Sequence, residues 1–196
     1  MELHKLTHLD MSLAIKRTIE YETGIRLDTL GFMYGNIKPD LSPYLISIPH
    51  FKHKSLNFII SEINYLLKYK VSKETKCTRE FSERLGVVTH YLSDFFCYVH
   101  SKEYKGNVVF HYMYEVGLCL FCKRNLHILK TYKYSKYPIS SINQKTICDS
   151  IEKLYEKCRM NKPSYTRDLI YALRMSTSLI LSIISVCMTD TLETAA

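Results

Sequence analysis

The sequence has no run in which apolar and polar residues alternate for long enough to make a strand, no internal repeat and no low-complexity tract. These absences exclude a sheet-based fold and a repeat array, and hydrophobic periodicity leaves an all-α chain of six or seven predicted helices. The opening stretch MELHKLTHLDMSLAIKR holds no apolar signal core and no small-residue cleavage site. The expected compartment is therefore cytoplasmic, unless a leader has been removed. A membrane-spanning helix needs ~20 apolar residues. The uncharged stretch between Arg174 and Asp190 has fifteen, and Ser176, Ser178, Ser182 and Ser185 interrupt it, so we expect a buried core helix and no transmembrane segment.

Seven cysteines, an odd number scattered mostly through predicted helices, do not make a disulfide scaffold. Free thiols in a reducing compartment are the expectation. Cys119 and Cys122 form a C-x-x-C pair, but no second pair completes a four-thiolate site, and burial as small apolar residues is the preferred reading. With 196 residues the chain can bury one sizeable core, so a single domain over 1–196 is expected. Lys and Arg number 27 against 19 Asp and Glu, a net charge of +8. That balance suits an anionic partner, a lipid surface or a phosphodiester, and implies no particular chemistry. The stretch 130–143, KTYKYSKYPISSIN, reads as a loop whose interleaved Lys and Tyr could meet bases or a lipid interface, with a plain solvated loop as the default.

The periodicity predicts helices from Leu6 to Tyr21, Arg26 to Tyr34, Lys54 to Tyr69, Arg79 to Val99, Lys145 to Met160 and Tyr165 to Met188, the last with Ser164 as N-cap. A further helix carries His111 and runs through Val116–Phe121 to Lys123-Arg124-Asn125. Gly35-Asn36 reads as a left-handed C-cap. After it, Pro39 and Pro43 stiffen the loop that carries Asp40.

The chain is organised around residues 87–115, VVTHYLSDFFCYVHSKEYKGNVVFHYMYE. His90/Asp94 and His111/Glu115 are each spaced i, i+4, which puts both members of a pair on one helix face. His100 cannot share the first face on a straight helix, so either the helix ends near it or it serves a different ion. Imidazole and carboxylate donors without thiolate suit zinc, and on ligand type alone suit manganese or iron less well. Asp40 taken alone is an ordinary turn or N-cap aspartate, and His8 taken alone is equally well a surface histidine.

The combined pattern, His90-x3-Asp94-x5-His100 followed by His111-x3-Glu115, resembles the zinc-dependent phospholipase C family. The segment PDLSPYLISIPH resembles that family's Pro-Asp loop with a following histidine, and THLDMSLAI its first-helix histidine. The resemblance covers roughly residues 6–116, and the C-terminal third matches only in being helical. It implies an all-α multi-helix bundle with two or three zinc ions in a cleft. His50, His90 and Asp94 would hold one ion, His100, His111 and Glu115 a second, and His8 with Asp94 a third. Asp40 would orient or deprotonate the attacking water, or ligate an ion directly. His53 is the alternative to His50, which directly follows Pro49. The family's third site is completed by a mature N-terminal Trp. This chain has no Trp, so Met1, His4 or water would replace it, or the third ion is absent. The implied activity is hydrolysis of a phospholipid, with diacylglycerol and a phosphorylated head group released and peripheral contact with an anionic membrane surface. A single-strand nuclease on the same scaffold and a non-catalytic metal-binding protein are the alternatives.

Overall fold

A computed structural model describes residues 3–125 and 142–188 together with Leu129 and Ile139; the side chains of residues 3 and 4 lie outside that description. Among the described residues the fold is all-α. Eight helices run in the order α1 (Leu3–Thr23), α2 (Thr29–Gly35), α3 (Pro43–Ile46), α4 (Lys52–Leu66), α5 (Arg79–Phe96), α6 (Val108–Arg124), α7 (Gln144–Arg159) and α8 (Tyr165–Cys187). Two 3₁₀ turns, Lys38–Asp40 and Tyr98–His100, join them. Among the described residues only isolated bridges, Arg26 with Lys76 and Val71 with Met188, have strand-like pairing.

Helix α5 is the central strut. Thr78 caps it by accepting a hydrogen bond from the Phe81 N–H at 3.2 Å. Phe81, Leu85, Val88, Leu92 and Phe95 recur every three or four positions and are fully buried. Helices α2, α4 and α8 pack around α5, while α1 packs on α6 and α8. Their apolar faces share one core that runs from Met11 to Cys187. Helix α8 is long and apolar enough to cross a membrane, but 61% of its most apolar window is buried in the protein, as a core helix would be.

Several boundaries differ from expectation, and three of the differences have a clear physical reason. Gly35-Asn36 is not a left-handed cap: Asn36 has φ −72°, and Gly24 is the glycine whose φ is positive. Gly35 is required by a close approach instead. A Cβ there would lie 2.0 Å from the Glu83 carbonyl oxygen, and one on Gly86 would lie 2.4 Å from that of Phe32. The two backbones of α2 and α5 therefore touch. Helix α2 also begins at Thr29, capped by Asp28, because the Arg26 backbone pairs with residues 76 and 77. Finally, α5 stops at Phe96, not Val99. Cys97 is extended at ψ 132°, and the Asp168 carboxylate of α8 accepts the Tyr98 N–H at 2.8 Å. That contact starts a new 3₁₀ turn and redirects His100.

Candidate metal centre

The close contact of Gly35 with Gly86 sets the first part of the site. It brings the Asn36 carbonyl oxygen to 2.8 Å from Nδ1 of His90, which is completely buried. A carbonyl can only accept, so Nδ1 donates, and in the neutral ring Nε2 keeps an outward lone pair. That nitrogen faces Asp94 Oδ2 at 3.1 Å and Asp40 Oδ1 at 3.7 Å. His50 Nδ1 stands 3.4 Å from it and 2.9 Å from Asp94 Oδ2. His8, from α1, stacks on the His90 ring with centroids 4.1 Å apart and reaches Asp94 Oδ1 at 3.3 Å.

The second part comes from the 3₁₀ turn and α6. Nε2 of His100 and Nε2 of His111 both lie 3.1 Å from Oε1 of Glu115. Helix α6 starts where Asn107 accepts the Phe110 N–H at 3.0 Å, which phases His111 and Glu115 onto the inner face. His100 Nε2 also lies 3.9 Å from Asp94 Oδ1, so Asp94 stands between the two parts. Side-chain exposure rises from 0% at His90 to 26% at His111, so the cleft opens on the α6 side.

Burial opposes ionisation of Asp94, yet the charges of His90, His100 and His8 and a hydrogen bond from His50 hold its carboxyl well below the ordinary range. Burial likewise pushes Glu115 up, but hydrogen bonds from His100 and His111 outweigh it and bring the value down to about 2. Burial alone would lower His50; its bond to Asp94 and the charges of Asp94 and Asp40 carry it above the usual histidine value.

Three groups of donor atoms are each compact enough to hold one ion: His8 with His90 and Asp94, Asp40 with His50 and His90, and His100 with His111 and Glu115. Donors bound to one tetrahedral zinc stand about 3.3 Å apart; contacts inside these groups run from 3.1 Å for His90 with Asp94 to 3.9 Å for His50 with Asp40, and all donors of a group lie within 4.8 Å of one another. The His90 lone pair aimed at carboxylates, with its other nitrogen fixed by a carbonyl, is the arrangement of a metal-ligating imidazole. No thiol belongs to any group, and imidazole with carboxylate is donor chemistry that fits zinc.

All eight residues picked out from the sequence (His8, Asp40, His50, His90, Asp94, His100, His111 and Glu115) meet in this one cleft. His53 does not: it is exposed on the first turn of α4, outside every group. Met1 and the His4 side chain lie outside the described residues, as does most of the Lys/Tyr stretch. Cys119 and Cys122 are fully buried, and burial pushes the Cys122 thiol up to about 12, so the C-x-x-C pair is inert packing.

Sequence reasoning missed Asp168. Its Oδ2 accepts from the Tyr98 N–H and the Tyr114 hydroxyl, each at 2.8 Å, while Oδ1 takes two bonds from Arg167. One buried carboxylate thus ties the turn bearing His100 to the helix bearing Glu115. Its partners are 70 and 54 positions away, so no local pattern could have revealed it.

The family profile described as zinc dependent phospholipase C matches residues 7–165, more than three-quarters of the chain. The chain belongs to that family, and a general phospholipase C-like function and a dependence on zinc follow from membership. Comparison with curated proteins and with solved structures gives no match. The matched region holds every donor in the cleft and ends just before Asp168.

Proposed function

We propose that the chain hydrolyses a phosphodiester, a phospholipid first of all, releasing diacylglycerol and a phosphorylated head group. The observation that carries this reading is the convergence of eight imidazoles and carboxylates on one cleft in a zinc-dependent phospholipase C chain. His50, His90 and Asp94 would hold one ion, His100, His111 and Glu115 a second, and His8 with Asp94 a third, so Asp94 is the shared carboxylate. Zinc in such a site acidifies water and polarises a phosphoryl oxygen. Asp40 lies 3.7 Å from His90 and 3.9 Å from His50, and it would take the proton of the attacking water or ligate an ion. The water oxygen would bond to phosphorus, the bond from phosphorus to the glycerol oxygen would break, and that oxygen would take up a proton, the one removed from the water by way of Asp40 and solvent, to leave as diacylglycerol. The buried carbonyl contact to His90 and the Asp168 bridge keep the donors in place through turnover. Seven free thiols support a reducing compartment.

Hydrolysis assays on purified protein, with and without chelator, test the reading against a chromogenic phosphocholine ester and single-stranded DNA. Chelator-sensitive cleavage of the ester is expected. Cleavage of DNA alone would assign a nuclease, and cleavage of neither by zinc-loaded protein would leave a non-catalytic metal binder. Asp40→Asn should retain metal and lose at least about 100-fold in turnover, the usual scale for general-base removal. Normal turnover in that variant would refute the proposed base.

A further inference from the structure

Helix α6 is apolar on both sides. Its inner face carries His111, Glu115, Leu118 and Cys122 toward the protein, and a helix apolar all round is normally covered on every side. Among the described residues its outer face is not covered: Val109, Phe110 and Met113 are 64%, 60% and 59% exposed, and Leu120 continues the stripe. Val108 and Tyr112, at 85% and 50%, flank His111, the most exposed donor of the cleft. Phe110 and Met113 also form one wall of an open groove of about 550 Å³, whose other walls include Tyr98, Tyr104 and Tyr165.

Exposed apolar groups in such density mark an interaction surface. Charge selects the partner. Lys102 and Lys105 stand exposed just before the stripe and Arg124 just after it, while the one acidic residue of α6, Glu115, points inward to His100 and His111. Glu103, the acid beside those lysines, pairs with Arg159. An apolar strip with an aromatic groove, bracketed by cations, with the groove's Tyr104 ring 5.8 Å from that of His111, matches the layering of acyl chains beneath anionic head groups.

We propose that the outer face of α6 docks the protein on an anionic phospholipid surface, with Val109, Phe110 and Met113 entering the acyl boundary and His111 held at head-group level beside it. The choice of a lipid partner rests on the phospholipase reading above, but the surface can be tested without catalysis. The full chain is mixed with vesicles of pure phosphatidylcholine, or of phosphatidylcholine with one-fifth phosphatidylserine, and sedimented. The variant Val109→Ser/Phe110→Ser/Met113→Gln is run beside it, with its melting temperature and its cleavage of a water-soluble phosphocholine ester as controls.

Wild type should sediment with the anionic vesicles, and the variant should lose roughly tenfold or more in partitioning while melting and cleaving the soluble ester like wild type. Equal partitioning of the two proteins would overturn the proposal, as would no partitioning of wild type. A wild-type dimer that the variant dissolves, without vesicle binding, would assign the face to a second copy of the chain. If the variant fails to fold, Phe110→Ser alone and 0.5 M salt on wild type replace it, and loss of sedimentation is again expected. Vesicle binding without ester cleavage would sink the hydrolase and leave the docking face, whereas ester cleavage without vesicle binding would do the reverse.

Discussion

The two halves of the cleft are held by different means. His90 and Asp94 sit deep on α5, and backbone contact fixes their helix: two glycines let α2 touch α5, and the Asn36 carbonyl just past α2 sets the His90 ring. His111 and Glu115 lie nearer solvent, and a single side chain, Asp168, links their helix to the turn bearing His100 across the core. The inner half therefore cannot be disturbed without disturbing the fold. The outer half can be loosened alone, and it is the half that carries His111, the most exposed donor.

The sharpest way to break this contrast is at the backbone. Gly86→Ala puts a methyl 2.4 Å from the Phe32 carbonyl oxygen and 2.8 Å from the Gly35 Cα, both main-chain atoms that cannot step aside. A loss of about 3 kcal/mol or more in urea denaturation is expected. A loss under about 1 kcal/mol would mean that the two helices are not locked in this way.

Asp168→Asn probes the other half with a smaller effect. The amide keeps the volume but leaves Arg167 without its buried anion, costing about 1–3 kcal/mol. By slackening the His100 turn it should also weaken the outer ion about tenfold while sparing the inner donors. Zinc titration followed by calorimetry would separate the steps; equal weakening of every step would erase the distinction.

Acidity gives the mildest test. The folded value of His50 is raised, so in metal-free protein its contribution is full below the ordinary 6.5 and is lost as pH rises through the folded value. The folded values of Asp94 and Glu115 are depressed, so their contributions are lost as pH falls below the ordinary carboxylate range, toward about 2 for Glu115. Metal-free protein should thus melt lower at pH 8 than at pH 6. Zinc displaces those protons, so the loaded protein should show the opposite slope. Parallel slopes in thermal melts would contradict the shared site.

Much of this was legible because it is local. The heptad-like spacing of Phe81, Leu85, Val88, Leu92 and Phe95 specifies a buried α5, and the i, i+4 pairs lie on helices as their spacing requires. The margin between His50 and His53 is narrow in sequence, where only the preceding Pro49 favours His50. In space it is wide, since His53 falls on an exposed turn of α4. What stayed hidden depends on distant contacts. Gly35 reads as a helix cap until Gly86 is seen against it, and Asp168 reads as an ordinary first-turn acid until Tyr98 and Tyr114 reach it. The end of α5 at Phe96 is hidden for the same reason, because its cause lies on α8.

The most direct measurement is elemental analysis of zinc per chain in wild type and in Asp94→Asn. Two or three zinc ions are predicted for the wild-type chain, with a larger loss in Asp94→Asn than in Glu115→Gln, because Asp94 alone lies within 4 Å of His8, His50, His90 and His100. A wild-type chain that takes up one zinc or none, or an Asp94→Asn protein with its metal undiminished, would contradict a shared multinuclear centre.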